Sequence, residues 1–162
     1  MQVNAFNELM LFKDLSPSQR DVVLPLFTPC SYPEGMVIFE QGEATDYLYI
    51  VVDGEIQVRF KPDDGPPLIV ARVRNEGVVG WSAALGSPAY TSAAVCATNC
   101  DVLRVRGTDL RTLCEQYPET GSIMLERLAD VIAKRLRNTH AQVIALLEQG
   151  LRVNGYSVPQ NS

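Results

Sequence analysis
The sequence has little histidine or cysteine and no surplus of positive charge, and each shortage excludes something. One histidine in 162 residues, His140, leaves little material for histidine-based catalysis or a His-rich metal site. The four cysteines, Cys30, Cys96, Cys100 and Cys114, are too few and too scattered to staple a fold, which fits a reduced, cytoplasmic chain. Cys96 and Cys100 have CxxxC spacing with no second pair and no nearby histidine, so they read as buried thiols rather than zinc or iron–sulfur ligands. No apolar run approaches the roughly 18 residues of a spanning helix. The opening MQVNAFNELMLFKDL carries no basic region followed by a cleavage site, so no secretory leader is expected. With 14 Lys+Arg against 19 Asp+Glu and a net charge of −5, the chain is not built to hold nucleic acid without sequence preference. The nearest approach to a nucleophile elbow, Gly80-x-Ser82, lacks the second glycine. No enzyme is expected.

What is present is an ordinary globular composition, 46% hydrophobic and 20% charged, enough for one core and a helical appendage. Phe6, Leu9, Met10 and Phe12 recur at helical spacing up to Leu15. Ser16-Pro17 then reads as an N-cap with proline at N1, opening a short helix through Val22, Val23, Leu26 and Phe27 that Pro25 and Pro29 limit. From Cys30 the period shortens. Residues 36–39, 47–52, 55–60, 68–73, 92–97 and 101–106 read as strands cut by turns, and Asp53-Gly54 gives the strongest hairpin signal. Many short strands at this spacing predict a β-sandwich or barrel-like roll.

After Arg106 the helical period returns. Thr108 is placed as the cap of a short helix, and Pro118 separates it from a long one over 119–149 with Gly150 as its stop. Leu125, Leu128, Ile132, Leu136, Thr139, Val143 and Leu146 follow the 3- and 4-residue spacing of a coiled-coil seam. Some thirty helical residues extend about 45 Å, more than a small roll can cover. A homodimer through 119–149 is therefore expected, with Thr139 as a polar register device.

Helices, then a glycine-punctuated roll, then a long helix resembles the cyclic-nucleotide-binding domain family over residues 5–149. Its clearest part is VIFEQGEATDYLYIVVDGEIQV, with Gly42 and Gly54 at the turn positions. The resemblance implies a mainly β fold with flanking helices: an eight-stranded β-roll (jelly roll), N-terminal helices and a long C-terminal helix. It divides the chain into N-terminal helices over 1–29, the roll over 30–106, hinge and dimer helices over 107–149, and a flexible tail over 150–162.

The resemblance also implies a ligand site, the phosphate-binding cassette, aligned on Gly80, Trp81, Ser82, Ala83, Ala84, Leu85, Thr91 and Ser92. In this family backbone N–H groups at a helix N-terminus meet a cyclic phosphate, an arginine neutralises it and a glutamate holds the ribose. Here Trp81 stands where the glutamate is expected and Thr91 where the arginine is. Losing the cation forfeits about 3–5 kcal/mol, roughly 10²–10³ in affinity. The ligand is then a cyclic nucleotide held weakly or another small planar molecule, with Trp81 and Tyr90 as ring faces. The competing reading has those two rings filling the old cavity. Arg72, Arg74 and Arg104 are the nearest cations by sequence. Lys134 to His140 resembles the segment whose Thr-Ser pair caps the ligand across the dimer, so Thr139 and His140 are the candidate cap, His140 replacing the serine. The resemblance implies a regulatory module in which ligand re-sets the long helix. Only 13 residues follow Gln149, too few for a winged helix, so no DNA or membrane binding is expected of these residues; the expected output is a partner protein if the sequence is whole and a C-terminal part if it is a piece.

Overall fold
The structure is a computed structural model that describes residues 9–81 and 87–153; along the last helix the side chains described run to Lys134 and include Ile144, Leu147 and Glu148. Residues 9–14 form turns rather than the expected helix and bury Leu9, Leu11 and Phe12. Phe6 lies outside the described residues. Helix α1 (Pro17–Val23) begins where the sequence places it: Ser16 Oγ accepts from Gln19 N at 3.2 Å while Gln19 Oε1 accepts from Ser16 N at 2.9 Å. This reciprocal cap satisfies two otherwise orphaned donors. Ser16→Ala should lower stability by about 1 kcal/mol in urea denaturation.

A 3₁₀ turn (Leu24–Leu26) ends the helical entry, and eight strands follow: β1 (Thr28–Tyr32), β2 (Val37–Phe39), β3 (Tyr47–Asp53), β4 (Ile56–Phe60), β5 (Leu68–Val73), β6 (Val78–Val79), β7 (Ala93–Cys96) and β8 (Cys100–Arg106). They make two antiparallel sheets, ordered β1-β8-β3-β6 and β2-β7-β4-β5. This is the expected mainly β roll. Two strands escape the sequence pattern. β1 contains Pro29, tolerated because β1 is an edge strand and needs no donor there. β6 has only two residues, too few to show a period.

Asp53-Gly54 is not a hairpin turn. β3 pairs with β8 and β6, whereas β4 pairs with β5 and β7, so the turn carries the chain from one sheet to the other. Gly54 is required there twice over: φ is +101°, and a Cβ would stand 2.5 Å from the Asn99 carbonyl oxygen. A true consecutive hairpin joins β4 to β5 across the KPDDGPP loop, pairing Phe60 with Leu68.

Strand alternation sorts side chains into two cores. Leu48 and Ile50 of β3 and Leu103 and Val105 of β8 face the helices, packing with Phe12, Val23, Phe27 and Met124. Tyr49, Val51, Cys100 and Val102 face the other sheet, meeting Phe39, Ile56, Val58, Ala71 and Val73. Helix α2 (Gly107–Gln116) starts one residue before the expected cap: Arg106 is its N-cap, without a side-chain bond, and Thr108 lies inside. Helix α3 (Pro118–Val153) has 36 residues and runs through Gly150, since one interior glycine costs only about 1 kcal/mol. At 1.5 Å per residue it is about 54 Å long. Thr120, Met124 and Leu128 are buried against the roll side, while Leu125 is 47% exposed and Leu147 61%. Leu128, assigned to the seam, belongs to the core.

Candidate ligand cassette
The cassette opens at Gly80, whose φ of +75° turns the chain out of β6. A Cβ there would lie 3.0 Å from the Tyr47 carbonyl and 3.2 Å from the Tyr90 ring, so backbone and ring close on a position only glycine fits. Trp81 is half-buried against the helix-side core. It sits across the sheet from the roll interior and does not fill that interior. Ser82, Ala83, Ala84 and Leu85 lie outside the described residues.

The returning limb is strapped to the loop before β3. Gly42 N donates to Tyr90 O at 2.8 Å, Tyr90 N donates to Glu43 O at 2.9 Å, and Thr45 Oγ1 donates to Ser87 O. These bonds aim Tyr90 inward. Its ring stacks on Phe39 with centroids 3.8 Å apart, and Phe39 in turn stacks on Tyr49 at 5.8 Å. The Tyr90 hydroxyl donates to Tyr47 O at 2.6 Å and accepts from Tyr47 N at 3.1 Å. Burial pushes the Tyr90 phenol pKa up, as it does that of Tyr49. Tyr90, 4% exposed, is the interior filler. Thr91 is exposed and Ser92 half-buried. Thr139 and His140 lie within α3, their side chains outside those described.

The candidate cations divide. Arg72 and Arg74 turn outward to Glu55, at 3.4 and 2.7 Å, and the Arg74 bond holds the Glu55 carboxyl below its usual pKa. Arg104 shares the inward face of β8 with Val102. Its guanidinium lies 4.5 Å from the Tyr47 ring centroid, and its buried Nε has no hydrogen-bond partner among the described residues. Arg106 approaches the same ring at 5.4 Å. Burial opposes the Arg104 charge, but the neighbouring Cys30 thiol and the phenols of Tyr47, Tyr32 and Tyr49 outweigh it, raising its pKa. The period-2 pattern of CDVLRVR puts residues 100, 102, 104 and 106 on one face, so this inward arginine was visible in the sequence. Cys96 and Cys100 are buried inside the roll, and burial pushes the Cys96 thiol up to about 12. Among the described residues no group of three metal-ligating side chains gathers.

The two-sheet roll has counterparts in known proteins. The family model of the cyclic nucleotide-binding domain matches residues 29–117. The chain belongs to the cyclic nucleotide-binding domain family. It is 25% identical over 137 residues to the CRP-like cAMP-activated global transcriptional regulator of Mycobacterium tuberculosis, covering 85% of this chain and 59% of that protein. It is 30% identical over 122 residues to the potassium channel AKT2 of Oryza sativa, covering 74% of this chain and 14% of the channel. A cyclic nucleotide-binding domain from Methylobacillus flagellatus shares the fold, with a TM-score of 0.76 and 19% identity over 88% of this chain and 80% of that one. This cyclic nucleotide-binding domain thus spans about three fifths of the bacterial regulator. Among the described residues no helix is long and apolar enough to cross a membrane.

Proposed function
We propose that this domain is a regulatory module that holds a small, planar, uncharged ligand at the cassette and passes its presence to α3, which pairs with a second copy through residues 119–149. One observation carries the reading. Both ends of the cassette are held, with the Gly80 elbow closed on Tyr47 and Tyr90 strapped to residues 42 and 43, while neither Trp81 nor the exposed Thr91 brings an ionic group to it. A cassette without its counter-ion selects against a phosphate and leaves ring faces and neutral hydrogen bonds. The apolar face of α3 beyond the roll, with Leu125, Ile144 and Leu147 exposed, supports pairing. Thr139 and His140 would cap the ligand from that helix. The likeness to a cAMP-activated global transcriptional regulator and to a potassium channel supports a module that serves a larger output. Here we assign that output to a partner protein, without catalysis, in the cytoplasm.

The Tyr90–Phe39–Tyr49 stack favours a second reading, a ligand-free pairing module whose roll interior is already filled. A thermal-shift panel of nucleosides and cyclic nucleotides at millimolar concentration separates the two. The expected result is a rise in Tm with at least one uncharged nucleoside and a smaller one with cAMP, since a ligand that binds only the folded state stabilises it. A flat response across the panel would sink the ligand-binding reading in favour of the second.

A further inference from the structure
A cleft of about 650 Å³ lies between the turns of residues 10–14, the β5–β6 turn and α3, within the roughly 300–1,000 Å³ of small-molecule sites. None of the described cassette residues lines it. It also faces away from the pairing face of α3: at about 100° per residue, Lys134 stands about 180° around the helix from Leu125 and Arg127 about 200°.

The cleft is built, not accidental. Glu76 Oε1 accepts from Met10 N at 2.6 Å, and Arg127 Nη1 donates to Leu11 O at 3.0 Å and to Met10 O at 3.4 Å, so the strap of residues 10–14 is tied to both other walls. Asp14 at φ +63° and Glu76 at φ +67°, the non-glycine residues with left-handed backbone among those described, both line it. Strained backbone held in place by its surroundings clusters at functional sites. In a chain of net charge −5, five cations (Lys13, Arg72, Arg74, Arg127 and Lys134) and three carboxylates line it around an apolar floor that includes Ala71, Val73 and Val131; Arg72 and Arg74 are already paired with Glu55. Of those carboxylates Glu76 is already bonded to the strap. Lys13 and Lys134 have no ion pair among the described residues.

We infer that this cleft is a second ligand site, separate from the cassette, for a small amphipathic anion whose apolar body rests on Ala71, Val73 and Val131 and whose acid group lies between Lys13 and Lys134. A ligand there touches the strap, the roll and α3 at once, and so bears on how the helix sits against the roll.

The test uses the full chain and the fluorescent aryl sulfonate 1-anilinonaphthalene-8-sulfonate, with uncharged N-phenyl-1-naphthylamine as its neutral counterpart. One saturable site per chain is expected, with Kd raised about tenfold or more in Lys13→Glu/Lys134→Glu and partly in Lys13→Gln/Lys134→Gln, as for loss of charged hydrogen bonds. Lys61→Glu, on the distant β4–β5 loop, should leave the affinity unchanged, and the neutral probe should bind about tenfold more weakly. Equal affinity of the charge-reversed and native chains, equal affinity of the two probes, or displacement of the sulfonate by cAMP would each overturn the assignment. Failure of the cassette proposal would leave these outcomes unaffected.

Discussion

Tyr90→Ala should destabilise the domain by about 3–5 kcal/mol, the range for removing a large buried aromatic side chain. Three losses add together. The ring leaves its stack on Phe39, at 3.8 Å between centroids. A void opens in an interior that packing otherwise fills. The backbone N–H and C=O of Tyr47 lose the hydroxyl that serves both of them. Tyr90→Phe keeps the ring and removes only the hydroxyl, so it should cost about 1–3 kcal/mol. Chemical denaturation of the two variants measures the difference. Equal stabilities of Tyr90→Ala and the native chain would mean that the ring does not fill the roll, and the second reading of the site would lose its support.

Ile132→Glu should convert the pair of chains to monomers in sedimentation velocity. Leu125 and Ile132 are seven residues apart, so they sit within about 20° of each other on α3. Leu125 is 47% exposed on the isolated chain and Ile132 half-buried. The roll covers Met124 and Leu128 instead. In a paired seam two uncompensated carboxylates would be buried together, at a penalty of several kcal/mol. With about 1.4 kcal/mol for each tenfold change, the dissociation constant should rise about a hundredfold or more. Because Ile132 is not part of either core, the monomer should stay folded. A dimer that persists with unchanged affinity would put the interface elsewhere.

Much of the fold was legible because its signals are local. The Ser16 cap, the apolar period of α3 and the alternation of β4 each follow from side chains within a few residues of one another. What escaped depends on distant partners. Asp53-Gly54 looks like a hairpin turn from its neighbours alone, and only the carbonyl of Asn99, brought in by β8, shows that the glycine serves a crossing between sheets. β6 exists because Tyr49 and Ile50 offer it a paired edge, which two valines cannot announce. The site was legible in outline and less so in detail. Trp81 and Tyr90 read alike as candidate fillers, but they emerge on opposite sides of the β1-β8-β3-β6 sheet, and only Tyr90 enters the roll. Arg104 was one of three cations in view. The strand register turns it inward while Glu55 draws Arg72 and Arg74 outward.

The most direct measurement is calorimetric titration of the intact chain with cAMP. With Trp81 and Thr91 bringing no charge to the cassette, Tyr90 occupying the interior and Arg104 engaged on the Tyr47 ring, binding should be no tighter than about millimolar. A saturating isotherm with a micromolar dissociation constant, lost in Arg104→Ala, would show that a β8 guanidinium has taken over the phosphate and would contradict the account.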